Sequence, residues 1–229
     1  MTALVFGATG LTGRHVVAEL ARAGQRVIAH VRPDSPRLSE WKTRVGPGVE
    51  LDTSPWQKDT IAALIERTKP TLVFLVLGTT QARAKKEGLG GGAAAYDAVD
   101  VGLTEMVIAA CAPLGDAVRL VYLSSAGAGG GSGAYLRARQ RVEEKLAASG
   151  LPHTIARPSF LVGERDDPRL AEKLGAPLAD GALALFGVLG GKRTAARYRS
   201  ITGAELGAAL VRLGRDPAWK NRIAEREDL

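Results

Sequence analysis

The chain has 229 residues, of which 45% are hydrophobic, and its formal net charge is +7. This length suits one domain with a large core, so we expect a single domain over residues 1–229. The net charge is spread as +3, +1 and +3 over residues 1–70, 71–150 and 151–229, which argues against nucleic acid as a partner because a DNA-binding face needs clustered cations.

The cysteine, histidines and apolar runs argue against a disulfide-bonded, metal-binding, secreted or membrane-spanning protein. Cys111 is the single cysteine, so an internal disulfide is excluded, and the three histidines lie far apart in sequence, so we expect no metal site. No basic region followed by a secretory apolar core is found at the N-terminus, and apolar runs such as 72–77 are too short to span a bilayer. We therefore expect a cytoplasmic protein that does not bind membranes.

The first elements contain the most informative motif. Residues 3–6 predict a short buried strand and residues 12–23 an amphipathic helix, with three glycines spaced G-x-x-G-x-x-G around their junction. Gly7 permits a tight turn, Gly10 lets the main chain approach a pyrophosphate, and Gly13 lets the helix pack closely on the strand. Because helix N-termini attract anions, this stretch predicts a dinucleotide site, with a plain glycine-rich loop as the alternative. The residues assigned to this glycine loop are Gly7, Thr9, Gly10, Leu11, Thr12, Gly13 and Arg14.

The second strand, predicted over residues 25–31, is followed by a basic residue. Dinucleotide-binding units usually place a carboxylate here to hold the ribose hydroxyls, whereas Arg32 can hold a 2′-phosphate through two charge-assisted hydrogen bonds, assisted by Arg14 and Arg37. NADP(H) is therefore the preferred cofactor. NAD(H) is the alternative, because a shifted loop would bring Asp34 to the ribose, and a merely solvent-exposed Arg32 is a further one.

Two more strand ends point to the same edge of the sheet. Residues 49–51 predict a third strand, followed by Asp52, which either lies near the adenine or caps a turn. Residues 58–68 predict an amphipathic helix, and residues 71–77 a strand that is apolar throughout, as in a central parallel strand. Its carboxyl end carries three residues that either line the ribose and diphosphate or form a simple turn, namely Gly78, Thr79 and Thr80.

The middle of the chain predicts a loop and a long helix. Residues 81–92 are charged and glycine-rich, which indicates a flap over the cleft or an exposed loop. Residues 93–111 predict a helix that packs across the sheet and, in some such proteins, across a dimer partner, so we include a homodimer among the expectations. The inward face predicted for this helix contains Val99, Leu103, Val107 and Ala110.

Candidate catalytic side chains follow the fifth predicted strand, residues 118–123. Ser124 and Ser125 end that strand, and the next helix begins at Tyr135, with Arg139 four residues later on the same helical face. A cation beside a phenol favours the phenolate, so the tyrosine suits general acid catalysis while either serine orients a carbonyl oxygen. The alternative is that the tyrosine packs at the helix start and the arginine is solvated.

Taken in order, these motifs carry a family resemblance. They are Gly-Ala-Thr-Gly-Leu-Thr-Gly-Arg at 7–14, Leu-Gly-Thr-Thr at 77–80, Tyr-Leu-Ser-Ser-Ala-Gly-Ala at 122–128, Tyr135 at a helix start, and Ile-Ala-Arg-Pro at 155–158. Over about residues 1–165 the chain resembles the atypical short-chain dehydrogenase/reductase superfamily. Within it, the chain is most similar to NAD(P)H-binding oxidoreductases of the Tat-interacting-protein type, with the NmrA-like redox-sensing proteins as neighbours.

The resemblance implies an α/β fold, a Rossmann-like doubly wound parallel sheet with NADPH laid across the strand ends. It also implies a catalytic serine, tyrosine and lysine, with the lysine four residues after the tyrosine, where this chain has Arg139. Arginine keeps the charge and can donate to the nicotinamide ribose, but it lacks the compact geometry of an ammonium group. The arginine at this position puts turnover in question and leaves cofactor binding unaffected. Pro158, which belongs to the Ile-Ala-Arg-Pro motif, is also assigned to cofactor binding.

The remaining residues predict a smaller part. We expect a cofactor-binding core over residues 1–157 and a substrate-covering part over residues 158–229. Residues 178–189 are nearly all apolar, which indicates a buried helix or one wall of a hydrophobic pocket. The elements predicted after them are a strand over 197–201, a helix over 203–213 capped by Thr202, and a polar helix over 217–229.

Together these features predict an NADPH-dependent reductase of a small carbonyl or quinone-like molecule. Tyr135 would act as the acid, Ser124 or Ser125 would orient the oxygen, and Arg139 would support them. The alternative is a non-catalytic protein that senses NADP(H) and passes the signal to a protein partner. A nucleotide-sugar epimerase is a weaker alternative, because those chains usually carry a larger substrate lobe.

Overall fold

The computed structural model describes residues 1–78, 92–159, 161–162 and 200–229. The strands are β1 (Thr2–Phe6), β2 (Arg26–His30), β3 (Val49–Asp52), β4 (Leu72–Leu75), β5 (Arg119–Leu123), β6 (His153–Ala156), β7 (Leu161–Val162), β8 (Ile201–Thr202) and β9 (Arg222–Ala224). The helices are α1 (Gly13–Arg22), α2 (Leu38–Arg44), α3 (Lys58–Thr68), α4 (Ala93–Tyr96), α5 (Leu103–Cys111), α6 (Ala134–Ala148) and α7 (Gly203–Arg215). A π-helical turn, Asp97–Gly102, joins α4 to α5.

Seven strands of this part of the chain form one sheet in the order β3-β2-β1-β4-β5-β6-β9. Every pair of neighbours is parallel. From β1 the chain builds outward through β2 and β3, and it then returns to build the other half from β4. The carboxyl ends of β1 and β4 therefore form the switch point at which such sheets bind ligands. This topology confirms the predicted Rossmann-like doubly wound sheet.

Helices cover both faces of the sheet. Apolar side chains of α1 and α7, such as Leu20 and Leu210, belong to the core on one face, and those of α3, α5 and α6, such as Ile61 and Val142, belong to the core on the other. Strand β4 is buried throughout, as expected of a strand covered on both sides. The single-domain fold is confirmed.

Helix α7 lies unusually close to α1. A Cβ added at Gly207 would lie 2.7 Å from the Cβ of His15, and one at Gly203 would lie 2.9 Å from the carbonyl oxygen of Leu11. Thr202 caps the helix as predicted, because its hydroxyl accepts from the Glu205 amide while the Glu205 carboxylate accepts from the Thr202 amide. Residues 203–215 thus contribute buried side chains to the core beside α1.

The polar helix predicted over residues 217–229 is wrong. Two short 3₁₀ turns flank β9 instead, and β9 extends the main sheet beside β6, with Ile223 opposite Ile155. The edge of β6 has main-chain N–H and C=O groups that need hydrogen-bond partners. A strand beside β6 supplies these partners, whereas a helix bonds its main chain internally. The predicted helix over 178–189 and most of the strand predicted over 197–201 lie outside the described residues.

The long helix after β4 also differs from its prediction. Its buried residues include Tyr96, Asp100, Thr104, Val107 and Cys111, whereas the predicted inward residues Val99 and Leu103 are partly exposed. The π-helical turn holds more residues per turn than an α-helix and therefore rotates the inward face.

By length and composition alone, the helical stretch Ala93–Ala117 is sufficient to cross a membrane, with a mean hydropathy of 1.5 over its most apolar window. From the sequence, every apolar run is expected to be too short to span a bilayer. That expectation does not count this stretch, because acidic residues interrupt it. In the structure it lies on the sheet and contacts α3 and α6.

Candidate functional site

The glycine loop connects β1 to α1 at the carboxyl edge of the sheet. Gly7 has a φ of +86°, and a Cβ there would lie 2.5 Å from the carbonyl oxygen of Val76. A Cβ at Gly13 would lie 2.1 Å from the carbonyl oxygen of Gly7. At Gly10 a Cβ would meet, among the described residues, the Gly7 oxygen at 3.2 Å. Of the three glycines, Gly10 is therefore the one that the fold itself needs least. It is also the residue assigned to the close approach of a pyrophosphate.

The amino end of α1 suits an anion. Its N-cap, Thr12, makes no side-chain cap hydrogen bond, and the first turn contains no acidic residue. Main-chain N–H groups and the helix dipole thus favour negative charge at the loop. Arg14 is half-buried in the first turn, and the carbonyl oxygen of Thr9 accepts a hydrogen bond of 2.7 Å from Arg37. Arg37 therefore braces the loop.

The residue predicted to select the cofactor lies just beyond β2. Arg32 is half-buried, and its guanidinium lies 3.6 Å from the carboxylate of the exposed Asp34. The two residues that the sequence offered as alternatives for the ribose are thus paired with each other. A pair in which one partner is well exposed contributes little to stability, so a phosphate can compete for the guanidinium.

Asp52 caps a turn at the end of β3. Its carboxylate accepts hydrogen bonds from the amide and hydroxyl of Ser54 at 3.0 and 3.2 Å, and it pairs with Arg67 at 3.0 Å. These contacts match the turn-capping alternative that the sequence left open.

Arg139 joins three elements at the carboxyl edge. Its buried Nη1 donates hydrogen bonds to the Tyr122 hydroxyl at 3.0 Å and to the carbonyl oxygens of Leu77 and Leu123 at 3.2 and 2.9 Å. Its Nη2 lies 2.9 Å from the carboxylate of Asp100 in the π-helical turn. The alternative of a solvated Arg139 is therefore wrong, because the guanidinium ties the ends of β4 and β5 to the long helix.

Tyr135 stands half-buried in the first turn of α6. The Cζ atom of Arg139 lies 5.1 Å from the centroid of its ring, and the Tyr96 ring packs edge-on at 5.4 Å. The structure thus brings the predicted tyrosine and arginine together. Gly78 leaves room for the Arg139 guanidinium, since a Cβ at this position would lie 2.8 Å from Nη2 of Arg139.

The two serines after β5 have different surroundings. Ser124 is buried and donates a hydrogen bond of 2.5 Å to Glu143. Glu143 accepts two hydrogen bonds from Arg157 at 3.0 and 2.5 Å, and Arg157 in turn pairs with Glu225 at 3.0 Å. Ser125 is half-buried, and its hydroxyl bonds to no described residue. Ser124 therefore belongs to a buried network, whereas the half-buried hydroxyl of Ser125 is outside that network.

Two further residues assigned to the cofactor, Pro158 and Leu11, lie in loops that follow strands. Pro158 is buried, and its carbonyl oxygen accepts from the Ala126 amide at 2.8 Å, which ties the loop after β6 to the loop after β5. Leu11 is half-buried in the glycine loop. Thr79 and Thr80 lie outside the described residues.

Sequence reasoning missed four residues that organise this edge, namely Asp100, Tyr122, Glu143 and Arg157. Asp100 had a detectable signal, because it is a lone carboxylate in the apolar stretch 98–104. Tyr122 and Arg157 lie in the motifs at 122–128 and 155–158 but carried no predicted role, and Glu143 gave no signal, since the partners of all three come from separate elements.

The site fits a dinucleotide, because a loop without side chains at Gly7, Gly10 and Gly13 adjoins a helix end that favours anions. Fold and loop together define a Rossmann-type nucleotide-binding protein. A family model described as NAD(P)H-binding matches residues 7–183, and the chain belongs to this NAD(P)H-binding family.

Two curated relatives illustrate the family. The mitochondrial protein FMP52 of Candida glabrata is 32% identical over 170 residues, which are 72% of this chain and 66% of that protein. Subunit 9 of the NADH dehydrogenase (ubiquinone) 1 alpha subcomplex, a mitochondrial protein of Arabidopsis thaliana, is 26% identical over 169 residues, which are 72% of this chain and 40% of that protein. The chain thus spans about two thirds or less of the length of these relatives.

These relatives correct the expected location. Further relatives from Aspergillus species are also named as mitochondrial proteins, fmp52 or fmp52-1. Because the names place these proteins in mitochondria, the prediction of a cytoplasmic protein is wrong.

Solved structures share the fold. A UDP-glucose 4-epimerase from Thermotoga maritima, determined with UDP-glucose, has a TM-score of 0.68 at 18% identity and covers 97% of this chain and 75% of its own. An NADPH-dependent quinone oxidoreductase from Escherichia coli, determined with NADPH, has a TM-score of 0.63 at 17% identity and covers 98% of this chain and 68% of its own. These structures show the Rossmann-like fold, and the family match shows the NAD(P)H-binding family, as the predicted resemblance implied.

Proposed function

We propose that the protein is a reductase that uses NADPH in preference to NADH and acts on a small carbonyl or quinone-like substrate. The observation that carries this proposal is the placement of Tyr135 and Arg139 at the carboxyl edge that also holds the glycine loop. A proton donor beside a dinucleotide site suits hydride transfer to a carbonyl group.

The chain offers contacts for the two phosphate-bearing parts of the cofactor, the diphosphate and the 2′-phosphate. The main chain at Gly7, Gly10 and Gly13 would hold the diphosphate, and Arg32 would hold the 2′-phosphate in exchange for Asp34. When bound, NADPH supplies the hydride.

The proton and the orientation of the substrate come from side chains. Tyr135 donates a proton to the substrate oxygen, and Ser125 donates a hydrogen bond to the same oxygen. Ser124 is unsuited to this role, because its one hydroxyl proton is already directed to Glu143.

The test is NADPH oxidation with a panel of quinones and aldehydes, measured for the wild type and Tyr135→Phe. We expect turnover by the wild type and a loss of about 100-fold or more in the variant, with NADPH affinity retained. Tyr96→Phe, which alters the ring packed on Tyr135, is the matched control and should keep most of the activity. Equal rates for Tyr135→Phe and the wild type would contradict the assignment.

The cofactor preference has a separate test. Arg32→Ala should weaken NADPH binding about tenfold or more and leave NADH binding unchanged, because the 2′-phosphate loses its charged partner. Arg26→Ala, at the other end of β2 and paired with Glu50, is the control. Unchanged NADPH affinity in Arg32→Ala, measured by calorimetry, would show that the 2′-phosphate does not bind there.

A second candidate function is a non-catalytic NADP(H)-sensing protein that signals to a protein partner. It is favoured by the burial of Arg139, whose terminal nitrogens already contact Asp100, the Tyr122 hydroxyl and main-chain oxygens. The name of the Arabidopsis relative, a subunit of a larger assembly, agrees with such a role. Cofactor binding without oxidation that depends on Tyr135 would favour this candidate.

A further inference from the structure

A buried carboxylate opposes Arg139. Asp100 is 1% exposed and lies in the π-helical turn Asp97–Gly102, a kind of irregularity that is rare and frequent at functional sites. Its Oδ1 atom lies 2.9 Å from Nη2 of Arg139. The hydroxyl of Thr104 donates to the Asp100 carbonyl oxygen at 2.7 Å and anchors the turn.

This ion pair adjoins the proposed acid. The guanidinium lies over the ring of Tyr135, with 5.1 Å between Cζ and the ring centroid. A lone guanidinium beside the ring would favour the phenolate, because opposite charge stabilises the ionised form and Arg139 is itself buried. A carboxylate on the same guanidinium opposes that effect.

We propose that Asp100 is a positioning residue that neutralises Arg139 and so keeps Tyr135 as a neutral phenol able to donate a proton. The inference rests on the proposed function, because a reductase needs its acid protonated. The arrangement of charge can nevertheless be tested without any substrate.

Four elements contribute charged or titratable groups around Tyr135 in the part of the chain that the structure describes. Burial raises the pKa of Tyr122 to about 12, so that this phenol remains neutral through the range of interest. The groups are Arg139 and Arg141 from α6, Tyr96, Asp97 and Asp100 from α4 and the π-helical turn, and Tyr122 from β5, with Arg141 paired to Asp97.

The experiment is an ultraviolet titration of phenolate absorbance in the cofactor-free protein. The chain has four tyrosines, so the Tyr135 signal is obtained by subtracting the curve of the same protein carrying Tyr135→Phe. In Asp100→Asn the Tyr135 phenolate should appear about 1 pH unit below its wild-type position, because the guanidinium is no longer opposed. Asp97→Asn, the same charge change at an exposed site in the same turn, should shift it less. An unchanged titration in Asp100→Asn, or an equal shift in Asp97→Asn, would overturn the proposal.

Asp100→Asn leaves the buried charge of Arg139 unpaired, and this variant could fail to fold for that reason. A double variant tests the proposal in that case. Asp100→Asn/Arg139→Gln removes both charges, and Tyr135 should then titrate as in the wild type. A clear rise of its titration midpoint would show that Arg139 acts unopposed in the wild type, and would overturn the proposal. Asp100→Glu, which keeps the charge, should restore the wild-type curve.

Activity separates this inference from the proposed function. If NADPH oxidation occurs, its decline at high pH should move to lower pH in Asp100→Asn, in step with the phenolate titration. A shifted titration without turnover would contradict the reductase function and support the proposed role of Asp100. Turnover with an unshifted titration would support the reductase function and contradict the role of Asp100.

Discussion

Adjacent hydroxyls at Ser124 and Ser125 reach different neighbours, because successive residues leaving a strand point to opposite sides. One side chain enters the buried network that Glu143 forms with Arg157, and the other stays half-exposed at the carboxyl edge of the sheet. A pair that looks equivalent in sequence thus divides into a structural residue and a candidate catalytic one.

This division predicts opposite effects for two matched substitutions. Ser124→Ala should lower the free energy of unfolding by about 1–3 kcal/mol, because a buried acceptor loses a donor. Ser125→Ala should change it by less than about 0.5 kcal/mol and instead lower kcat. Chemical denaturation and NADPH oxidation measure the two effects, and the reverse pattern would contradict the assignment.

Single residues also show how far sequence reasoning reaches. Tyr135 and Arg139 were predicted to meet, because their four-residue spacing on one helix is local information. The partners of Glu143 and Asp100 could not be predicted, because each comes from another element and is fixed only when the sheet is assembled. A polar residue in an apolar run indicates that a partner exists without identifying it.

At the scale of elements, prediction succeeded where the pattern is periodic and failed where pairing is long-range. Helix α3 has the predicted bounds, Lys58–Thr68, because its apolar spacing and the following Pro70 are local signals. Strand β9 has three residues in a polar segment and forms only because β6 offers an edge. The π-helical turn likewise left no periodic signal, and it displaced the predicted inward face.

The contact between α1 and α7 gives an element-scale prediction. Gly207→Ala should destabilise the fold by about 1–3 kcal/mol, although alanine favours helices, because its Cβ would lie 2.7 Å from that of His15. Ala208→Val adds more volume at the next, exposed position and should have a smaller effect. Thermal unfolding compares the two. A stabilised Gly207→Ala variant would show that the helices are not in tight contact.

At the scale of the whole molecule, the C-terminal residues complete the fold that holds the site. Helix α7 covers one face beside α1, and β9 lies on the far edge of the sheet. Glu225, just after β9, pairs with Arg157 and so links that edge to Ser124 through Glu143. The described residues 200–229 therefore pack against the cofactor-binding core predicted over residues 1–157.

The whole fold should lose stability in mild acid through His30. Its buried ring packs against Phe6 and Trp56, with centroids 5.0 and 4.8 Å apart, and burial lowers its pKa below the usual 6.5. The unfolded chain then binds a proton that the folded chain resists, so the free energy of unfolding falls as the pH drops below about 6.5. Burial also lowers the pKa of His15, so His30→Gln should flatten this dependence without abolishing it. Urea denaturation at several pH values measures the slope, and an unchanged slope in the variant would contradict the prediction.

Calorimetric titration of NADPH into the wild type, Gly10→Ala and Gly46→Ala tests most directly whether the glycine loop holds a diphosphate. A Cβ at Gly46 meets no atom within 4 Å among the described residues, so that variant should bind and unfold like the wild type. Gly10→Ala should keep nearly the same unfolding midpoint and lose about tenfold or more in affinity, because the new methyl group occupies the path of the pyrophosphate. A wild type that binds neither NADPH nor NADH, or a Gly10→Ala variant that binds as tightly as the wild type, would contradict the account.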